Sequence, residues 1–176
     1  MRVIAGELRG RRLVAPPGEA TRPTADRVRE ALFSILGDVS GLRVLDLYAG
    51  SGALGIEALS RGAAAATFVD SSRTAVEAIR RNLSELGLDA AVRRQDALAY
   101  LAAAAAGDPY DLVFADPPYD SALRVGPQLA QRLPPILTPG AVIVTESNKR
   151  SPLELPFPVL RERSYGDTRI AVHRHG

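Results

Sequence analysis

The stretch Arg43-Val44-Leu45-Asp46-Leu47-Tyr48-Ala49-Gly50-Ser51-Gly52-Ala53-Leu54-Gly55 decides the fold. Arg43 to Tyr48 is a short apolar run of the kind that forms a strand covered on both faces. The glycines then turn the chain tightly, and Ala53 to Arg61 continues at helical spacing. Strand, glycine turn and helix make the opening unit of a parallel α/β sheet.

The unit recurs downstream. Ala66-Thr67-Phe68-Val69 is a strand ending at Asp70, and Ala75 to Leu83 is a helix closed near Gly87. Ala91 to Gln95 is a weaker strand ending at Asp96, and the alanine-rich residues 98–106 favour helix. Asp111 to Ala115 ends at Asp116, and Ala141 to Thr145 follows the Pro139-Gly140 turn. Val159–Arg163 and Arg169–Val172 straddle Gly166-Asp167 as an antiparallel hairpin. Upstream, Thr24 is placed to cap a helix over Ala25–Leu36 that Gly37 stops. Residues 1–22, with short apolar pieces around Gly6, Gly10 and Pro16-Pro17, read as a hairpin or extended arm. The expected fold is α/β and Rossmann-like, with a mostly parallel sheet over residues 23–176 behind an arm over 1–22.

At 176 residues the chain makes one ordinary domain, and 46% apolar with 24% charged residues is globular. No apolar run reaches the roughly 20 residues of a membrane span, and the N-terminus lacks a secretory h-region. A soluble, cytoplasmic protein without a membrane partner is expected. The absence of cysteine removes disulfides, thiolate ligands and thiolate nucleophiles. The two histidines, His173 and His175, fall together at the end, so neither a histidine triad nor a metal site is expected.

Net charge is +2, but its placement is uneven. Arg2, Arg9, Arg11 and Arg12 face a single acid, Glu7, within the first twelve residues. Arginine's planar fork suits phosphate oxygens and stacks on bases, which makes this end a docking edge for a polyanion. Arg27 and Arg29, in the first turns of the following helix, stand beside it; with Arg9, Arg11, Arg12 and Arg22 they are the candidate RNA contacts.

Functional sites of such sheets lie at the carboxyl ends of the strands, where Asp46, Asp70, Asp96 and Asp116 stand. One such acid is commonly a turn residue or a helix cap. Several in successive units point to a ligand lying across the sheet edge. Gly50, Gly52 and Gly55 satisfy G-x-G-x-x-G, and Asp70 follows Gly50 by about the 20 residues expected of a ribose-binding acid. That much also fits a nicotinamide dehydrogenase. Asp46 discriminates, because a carboxylate just before the first glycine repels a pyrophosphate. It attracts the ammonium and sulfonium of S-adenosylmethionine, whose ribose falls to Asp70 and whose adenine amine falls to Asp96. The candidate cofactor residues are Asp46, Tyr48, Ala49, Gly50, Ser51, Gly52, Asp70, Ser71, Asp96 and Ala97.

Asp116-Pro117-Pro118-Tyr119 is the most specific signal. An exocyclic amine on a base is a poor nucleophile, because its lone pair is delocalised into the ring. Its alkylation needs acceptors that hold both N–H groups and pull the nitrogen towards tetrahedral geometry. The Asp116 carboxylate supplies one and the Pro117 carbonyl another. Two prolines stiffen the loop and preorganise it, and Tyr119 is placed to stack on the base. The four residues are the candidate catalytic set.

Five stretches carry a family resemblance: Arg2-Val3-Ile4-Ala5-Gly6, Leu8-Arg9-Gly10-Arg11-Arg12-Leu13, Arg22 through Phe33, and the Asp46–Gly55 and Asp116–Tyr119 motifs. They are similar to the RsmD-type 16S ribosomal RNA guanine-N2 methyltransferases over most of the chain, Leu123 to Pro158 excepted. The resemblance implies a seven-stranded class I methyltransferase sheet with a C-terminal antiparallel hairpin. It also implies an N-terminal extension engaging ribosomal RNA, and a guanine of the small subunit as acceptor, extruded into the pocket if paired or stacked. The chain is expected to be a monomer. The rival readings are a DNA adenine-N6 or cytosine-N4 methyltransferase using the same loop, a nicotinamide dehydrogenase, and an RNA-binding protein without catalysis. A C5-cytosine enzyme of the covalent type is disfavoured, since no thiolate exists to attack the ring.

Overall fold

The computed structural model describes residues 1–18, 23–104 and 107–176. Five strands follow the expected alternation: β1 (Arg43–Leu47), β2 (Ala65–Asp70), β3 (Ala91–Arg94), β4 (Tyr110–Ala115) and β5 (Leu137–Asn148). Between and before them lie α1 (Pro23–Leu36), α2 (Ala53–Ser60), α3 (Arg73–Leu86), α4 (Ala97–Ala103) and α5 (Ala122–Arg132). β6 (Val159–Tyr165) and β7 (Thr168–Arg174) complete one seven-stranded sheet in the order β3-β2-β1-β4-β5-β7-β6. β1 to β5 pair in parallel and β7 runs antiparallel to both its neighbours, which is the expected class I methyltransferase arrangement.

Buried apolar side chains divide between the two faces of the sheet. One face packs Phe68, Leu112, Phe114 and Val144 against Leu32 and Phe33 of α1, Ile56 of α2 and Ile79 of α3. The other packs Leu45, Val113 and Ile143 against Leu101 of α4 and Leu129 of α5. Strands this thoroughly covered need continuous apolar runs, which is why they were legible in sequence.

Three elements differ from expectation, and the first is α1, which starts at Pro23 and so takes Thr24 inside the helix and not as its cap. α5 had no counterpart in the sequence reading, because Gly126 and Pro127 sit inside it and break the helical pattern. Gly126 is there for packing: a side-chain carbon on it would come within 3.0 Å of the Glu154 carbonyl. β5 starts before Pro139-Gly140 and runs on past Thr145 to Asn148. Antiparallel pairing with β7 as far as Asn148↔Thr168 extends it beyond its apolar run.

The arm folds as a hairpin. Arg2 and Arg12 form an antiparallel bridge, with Val3 N–H donating to the Arg11 carbonyl at 2.9 Å and Leu13 N–H to that of Met1 at 3.0 Å. Val3 and Leu13 are buried in the same core as Phe33 and Phe68.

Candidate active site

The strand order reverses direction between β1 and β4, and ligands of open α/β sheets bind at such a point. Register places Asp46 beside Phe114 and Leu47 beside Ala115. The glycine turn after β1 and the Asp116-Pro117-Pro118-Tyr119 loop after β4 therefore emerge next to each other.

The glycine turn is shaped by its backbone and braced by side chains from outside it. Tyr48 has φ +57° and Gly52 φ +79°, left-handed conformations that set the turn and launch α2. The Gly52 N–H donates to the Ala49 carbonyl at 2.7 Å, and the Ala49 N–H to that of Val69 at 3.2 Å. A side-chain carbon on Gly55 would lie 2.4 Å from the Phe68 ring, so glycine alone lets α2 sit this close to the sheet.

The four strand-end acids fall into distinct environments. Asp46 is not on the rim: it is 2% exposed, beneath the turn, and its Oδ2 accepts the Gly55 N–H at 3.0 Å. Burial pushes its pKa up to about 8, opposed by that hydrogen bond and reinforced by nearby Asp70. Asp70 is half-buried, accepting from the Gly50 N–H at 2.9 Å and the Ser72 N–H at 2.8 Å, so it ties the glycine turn to the start of α3. Asp96 is exposed and caps α4, accepting the Ala99 N–H at 3.0 Å. Asp116 is half-buried at the mouth of the β4 loop. Of the four acids, Asp46 and Asp70 brace backbone, Asp96 caps a helix and Asp116 stands at the mouth of its loop.

The other candidate cofactor residues are spread around this turn. Tyr48 is half-buried, and desolvation followed by the charge of Asp96 pushes its hydroxyl up to about 12. Ser51 turns inward, its Oγ 3.4 Å from the Met1 sulfur and its carbonyl bound by Asn82 Nδ2 at 3.0 Å. Ala97 is buried below the Asp96 cap and Ser71 is exposed.

In the β4 loop Pro117 is buried and Pro118 exposed. The Pro118 carbonyl is doubly occupied, by the Ser121 N–H at 2.9 Å and the Ser121 hydroxyl at 2.8 Å. The Pro117 carbonyl accepts no hydrogen bond among the described residues. Tyr119 is 44% exposed at the lip, its hydroxyl 3.4 Å from that of Thr168. Glu146, at the extended end of β5, lines a small pocket together with Asp116. Sequence reasoning missed it because the apolar run of strand five stops at Thr145. The available signal was an acid just beyond an apolar run, as at Asp116.

Beside the site, the arm is fastened to α2. The Ile4 and Ala5 N–H groups donate to the two oxygens of Glu57 at 2.8 and 2.9 Å. Ser60 Oγ donates to the Ala5 carbonyl at 2.6 Å and accepts the Leu8 N–H at 3.0 Å. Gly6, at φ +82°, lies so close to the Ser60 carbonyl that a side-chain carbon would come within 1.8 Å. Glu57 is fully buried and neutralised by Arg61 at 2.9 Å and Arg29 at 3.5 Å. Asn82 closes the far end, accepting from the Val14 N–H and donating to its carbonyl.

This fastening corrects one expectation. Arg29 is 4% exposed and is not part of a surface; its Nη2 donates to the Arg2 carbonyl and to Asp26 at 3.0 Å, and its Nε stands 3.5 Å from Glu57 as an ion pair without a hydrogen bond. Its guanidinium ties the arm at Arg2 to Asp26 of α1 and Glu57 of α2. Arg9, Arg11, Arg12 and Arg27 are exposed, and Arg22 lies outside the described residues. His173 is fully buried, its ring 3.4 Å from the Thr145 hydroxyl and 3.3 Å from the Phe157 carbonyl, with a pKa lowered chiefly by burial. It is a core residue. Among the described residues no cluster of three or more histidine, aspartate or glutamate side chains could hold a metal ion, and no helix is long and apolar enough to cross a membrane.

Comparison with known proteins places this geometry. The family described as conserved hypothetical protein 95 matches residues 1–174. The ribosomal RNA small subunit methyltransferase D of Haemophilus influenzae is 36% identical over 178 residues, covering 94% of this chain and 89% of that protein. Its namesake in Escherichia coli is 45% identical over 121 residues, 68% of this chain and 60% of that protein. The solved structure of a hypothetical protein from Thermus thermophilus superposes with a TM-score of 0.85 at 30% identity, over 99% of both chains. With the arm, the glycine turn and the Asp116 loop all inside the matched region, the chain belongs to the conserved hypothetical protein 95 family, that of the RsmD-type methyltransferases.

Proposed function

We propose that this protein transfers a methyl group from S-adenosylmethionine to the exocyclic N2 amine of a guanine in 16S ribosomal RNA of the small subunit. The observation that carries the reading is the adjacency, at the β1/β4 switch point, of a backbone-built glycine turn and an Asp-Pro-Pro-Tyr loop. The relatives named as small subunit methyltransferases support the coarser statement, methylation of ribosomal RNA. The N2 position and the guanine rest on the chemistry of the loop and on the family resemblance.

The residues present fit the cofactor. S-adenosylmethionine supplies an electrophilic methyl group on a sulfonium. The turn from Tyr48 to Gly52 offers a surface with few side chains, and Asp70 beside it keeps lone pairs for a ribose diol. Asp46, nearly neutral at pH 7 because it is buried, becomes a full carboxylate when a cation arrives, since an opposite charge lowers its pKa. Asp96 and Ala97, at the start of α4, stand where the adenine would lie.

On the acceptor side, the Asp116 carboxylate and the Pro117 carbonyl hold the two N–H groups of the amine, and Tyr119 stacks on the ring. With the cofactor bound, the Asp116 carboxylate and the Pro117 carbonyl would orient the amine's lone pair towards the methyl group, and Asp116 would take the proton that the nitrogen releases. The exposed arginines 9, 11, 12 and 27, with Arg22, dock the RNA, so that residues 1–22 act as the recognition arm and 23–176 as the catalytic domain. The protein works in the cytoplasm as a monomer, reading RNA shape and subunit surface.

The test uses small subunits from cells lacking the gene and tritiated cofactor. Asp116→Ala should lower methyl transfer by roughly a thousandfold or more, while cofactor affinity measured by calorimetry changes less than about twofold. Unchanged turnover would remove Asp116 from its role. Mass spectrometry of the nucleosides should find N2-methylguanosine; N6-methyladenosine, or transfer to duplex DNA instead, would replace the acceptor assignment.

A further inference from the structure

β4 and β5 run parallel and in step from Leu112↔Val142 through Phe114↔Val144 to Ala115↔Thr145. Paired residues on neighbouring strands project from the same face, and alternate residues return to it. Asp116 and Glu146 therefore extend the row that Phe114 and Val144 begin. The two acids line one small pocket, walled by Leu32 of α1, Leu54 of α2 and Ile170 of β7. Ile170 is also the cross-strand partner of Glu146.

Among the described residues Glu146 has no evident structural task. It is half-buried, and among the described residues its carboxyl group braces no backbone and meets no cation. Its apolar walls raise its pKa by desolvation. Burying a carboxyl against apolar walls costs stability. A polar group kept under those conditions beside reacting residues is expected to find its task in a ligand.

We propose that Glu146 is the specificity-determining residue of the acceptor pocket, its carboxylate accepting the N1–H of guanine while Asp116 holds the adjacent N2 amine. This inference rests on the guanine-N2 reading. The Watson–Crick edge of guanine places N1–H and N2–H side by side, two donors for two neighbouring acceptors. Adenine and cytosine carry an unprotonated ring nitrogen next to their amine. That lone pair faces the carboxylate, so either base leaves Glu146 desolvated and unmatched, which is where discrimination becomes large. The arriving donors favour the ionised form, against the effect of the apolar walls.

The experiment compares wild type, Glu146→Gln and Glu146→Ala on small subunits reconstituted with either guanine or 2-aminopurine at the modified position. 2-Aminopurine keeps the N2 amine but has a lone pair at N1. Wild type should prefer guanine strongly. Glu146→Ala should lose roughly 10- to 100-fold in kcat/KM on guanine, and its guanine preference should shrink at least tenfold. Glu146→Gln keeps a carbonyl acceptor in the same place and should fall between the two. Cofactor affinity within about twofold of wild type verifies that each variant is folded. A guanine preference in Glu146→Ala that shrinks less than tenfold overturns the proposal. If wild type itself yields no N2-methylguanosine, the underlying reading has failed instead, and the nucleoside analysis separates the two failures.

Discussion

The two loops that meet at the switch point are built on opposite plans. The turn after β1 spends its acids on its own backbone: Asp46 holds the Gly55 N–H and Asp70 holds that of Gly50. The loop after β4 spends prolines on stiffness and holds the Pro117 carbonyl in reserve. Glu146, across the pocket, braces no backbone among the described residues. A group that binds the same cofactor every time can be embraced by a fixed backbone. A group that must attack needs acceptors held rigidly until it arrives, which is electrostatic preorganisation. The first loop should therefore fail by losing structure, and the second by losing rate.

Gly55→Ala attacks the braced loop at its tightest point and carries the largest stability effect expected here. The added carbon meets the Phe68 ring at 2.4 Å, and its other close neighbour is Asp46 Oδ2 at 3.2 Å. Relief requires α2 to lift from the sheet or Phe68 to leave its rotamer. The overpacking cost of about 3 kcal/mol outweighs the roughly 1 kcal/mol that alanine contributes within a helix. Chemical denaturation should show the loss, and cofactor binding should fall with it because the Asp46 brace is broken. A variant as stable as wild type would mean that the turn is looser than its contacts indicate.

Asp46→Asn separates brace from charge. In the folded protein Asp46 keeps its proton from its ordinary value of 3.8 up to about 8, whereas the unfolded chain releases it near 3.8. Across that window the folded state binds more protons, so wild-type stability falls as pH rises. Asparagine retains an oxygen for the Gly55 N–H and has nothing to titrate. The variant's stability should be flat between pH 4 and 8 relative to wild type, exceeding it most at the alkaline end. The same change removes the countercharge for a cationic ligand and should weaken S-adenosylmethionine binding by roughly 10- to 100-fold. Wild type should release a proton on binding near pH 7, detectable by calorimetry in buffers of different ionisation enthalpy, and the variant should not. A variant with unchanged affinity would confine Asp46 to the fold.

What could be read in advance follows the same division. β1, β2 and β4 were plain because strands buried on both faces must be apolar throughout. The glycine turn and Asp116-Pro117-Pro118-Tyr119 were plain because each residue type does something no other can do at that place. α5 was hidden because Gly126 answers to Glu154, a neighbour remote in sequence, and helical periodicity does not register such a contact. Glu146 was hidden because its meaning depends on strand register, which a single chain's pattern does not reveal at a strand's polar end. Arg29 misled for a related reason: a guanidinium suits phosphate in solution, but a buried Glu57 claims it first. Asp46 is legible as an acid before the first glycine, but its burial and its brace on the Gly55 N–H are not, because they depend on how α2 packs on the sheet.

The exposed arginines of the arm give the smallest effect and the clearest separation of the two halves. Arg9, Arg11 and Arg12 all face solvent; of their side chains only that of Arg11 makes an internal hydrogen bond among the described residues, to the Glu85 carbonyl at 2.8 Å. Neutralising them should not disturb the seat of the arm, since that seat is made by backbone on Glu57 and Ser60 and by the buried Val3 and Leu13. Arg9→Gln, Arg11→Gln and Arg12→Gln together should therefore leave thermal stability and cofactor affinity near wild type. Each phosphate contact that is lost removes one counterion-release contribution of about 0.7 to 0.9 from the salt slope of binding. KM for small subunits should rise, by roughly five- to tenfold at moderate salt, and its dependence on salt should flatten, with kcat unchanged because the Asp116 loop is untouched. A triple variant whose KM keeps the wild-type salt dependence would show that the arm's charge is only a solvated surface. A fall in kcat at saturating subunit would show instead that the arm also positions the base for attack.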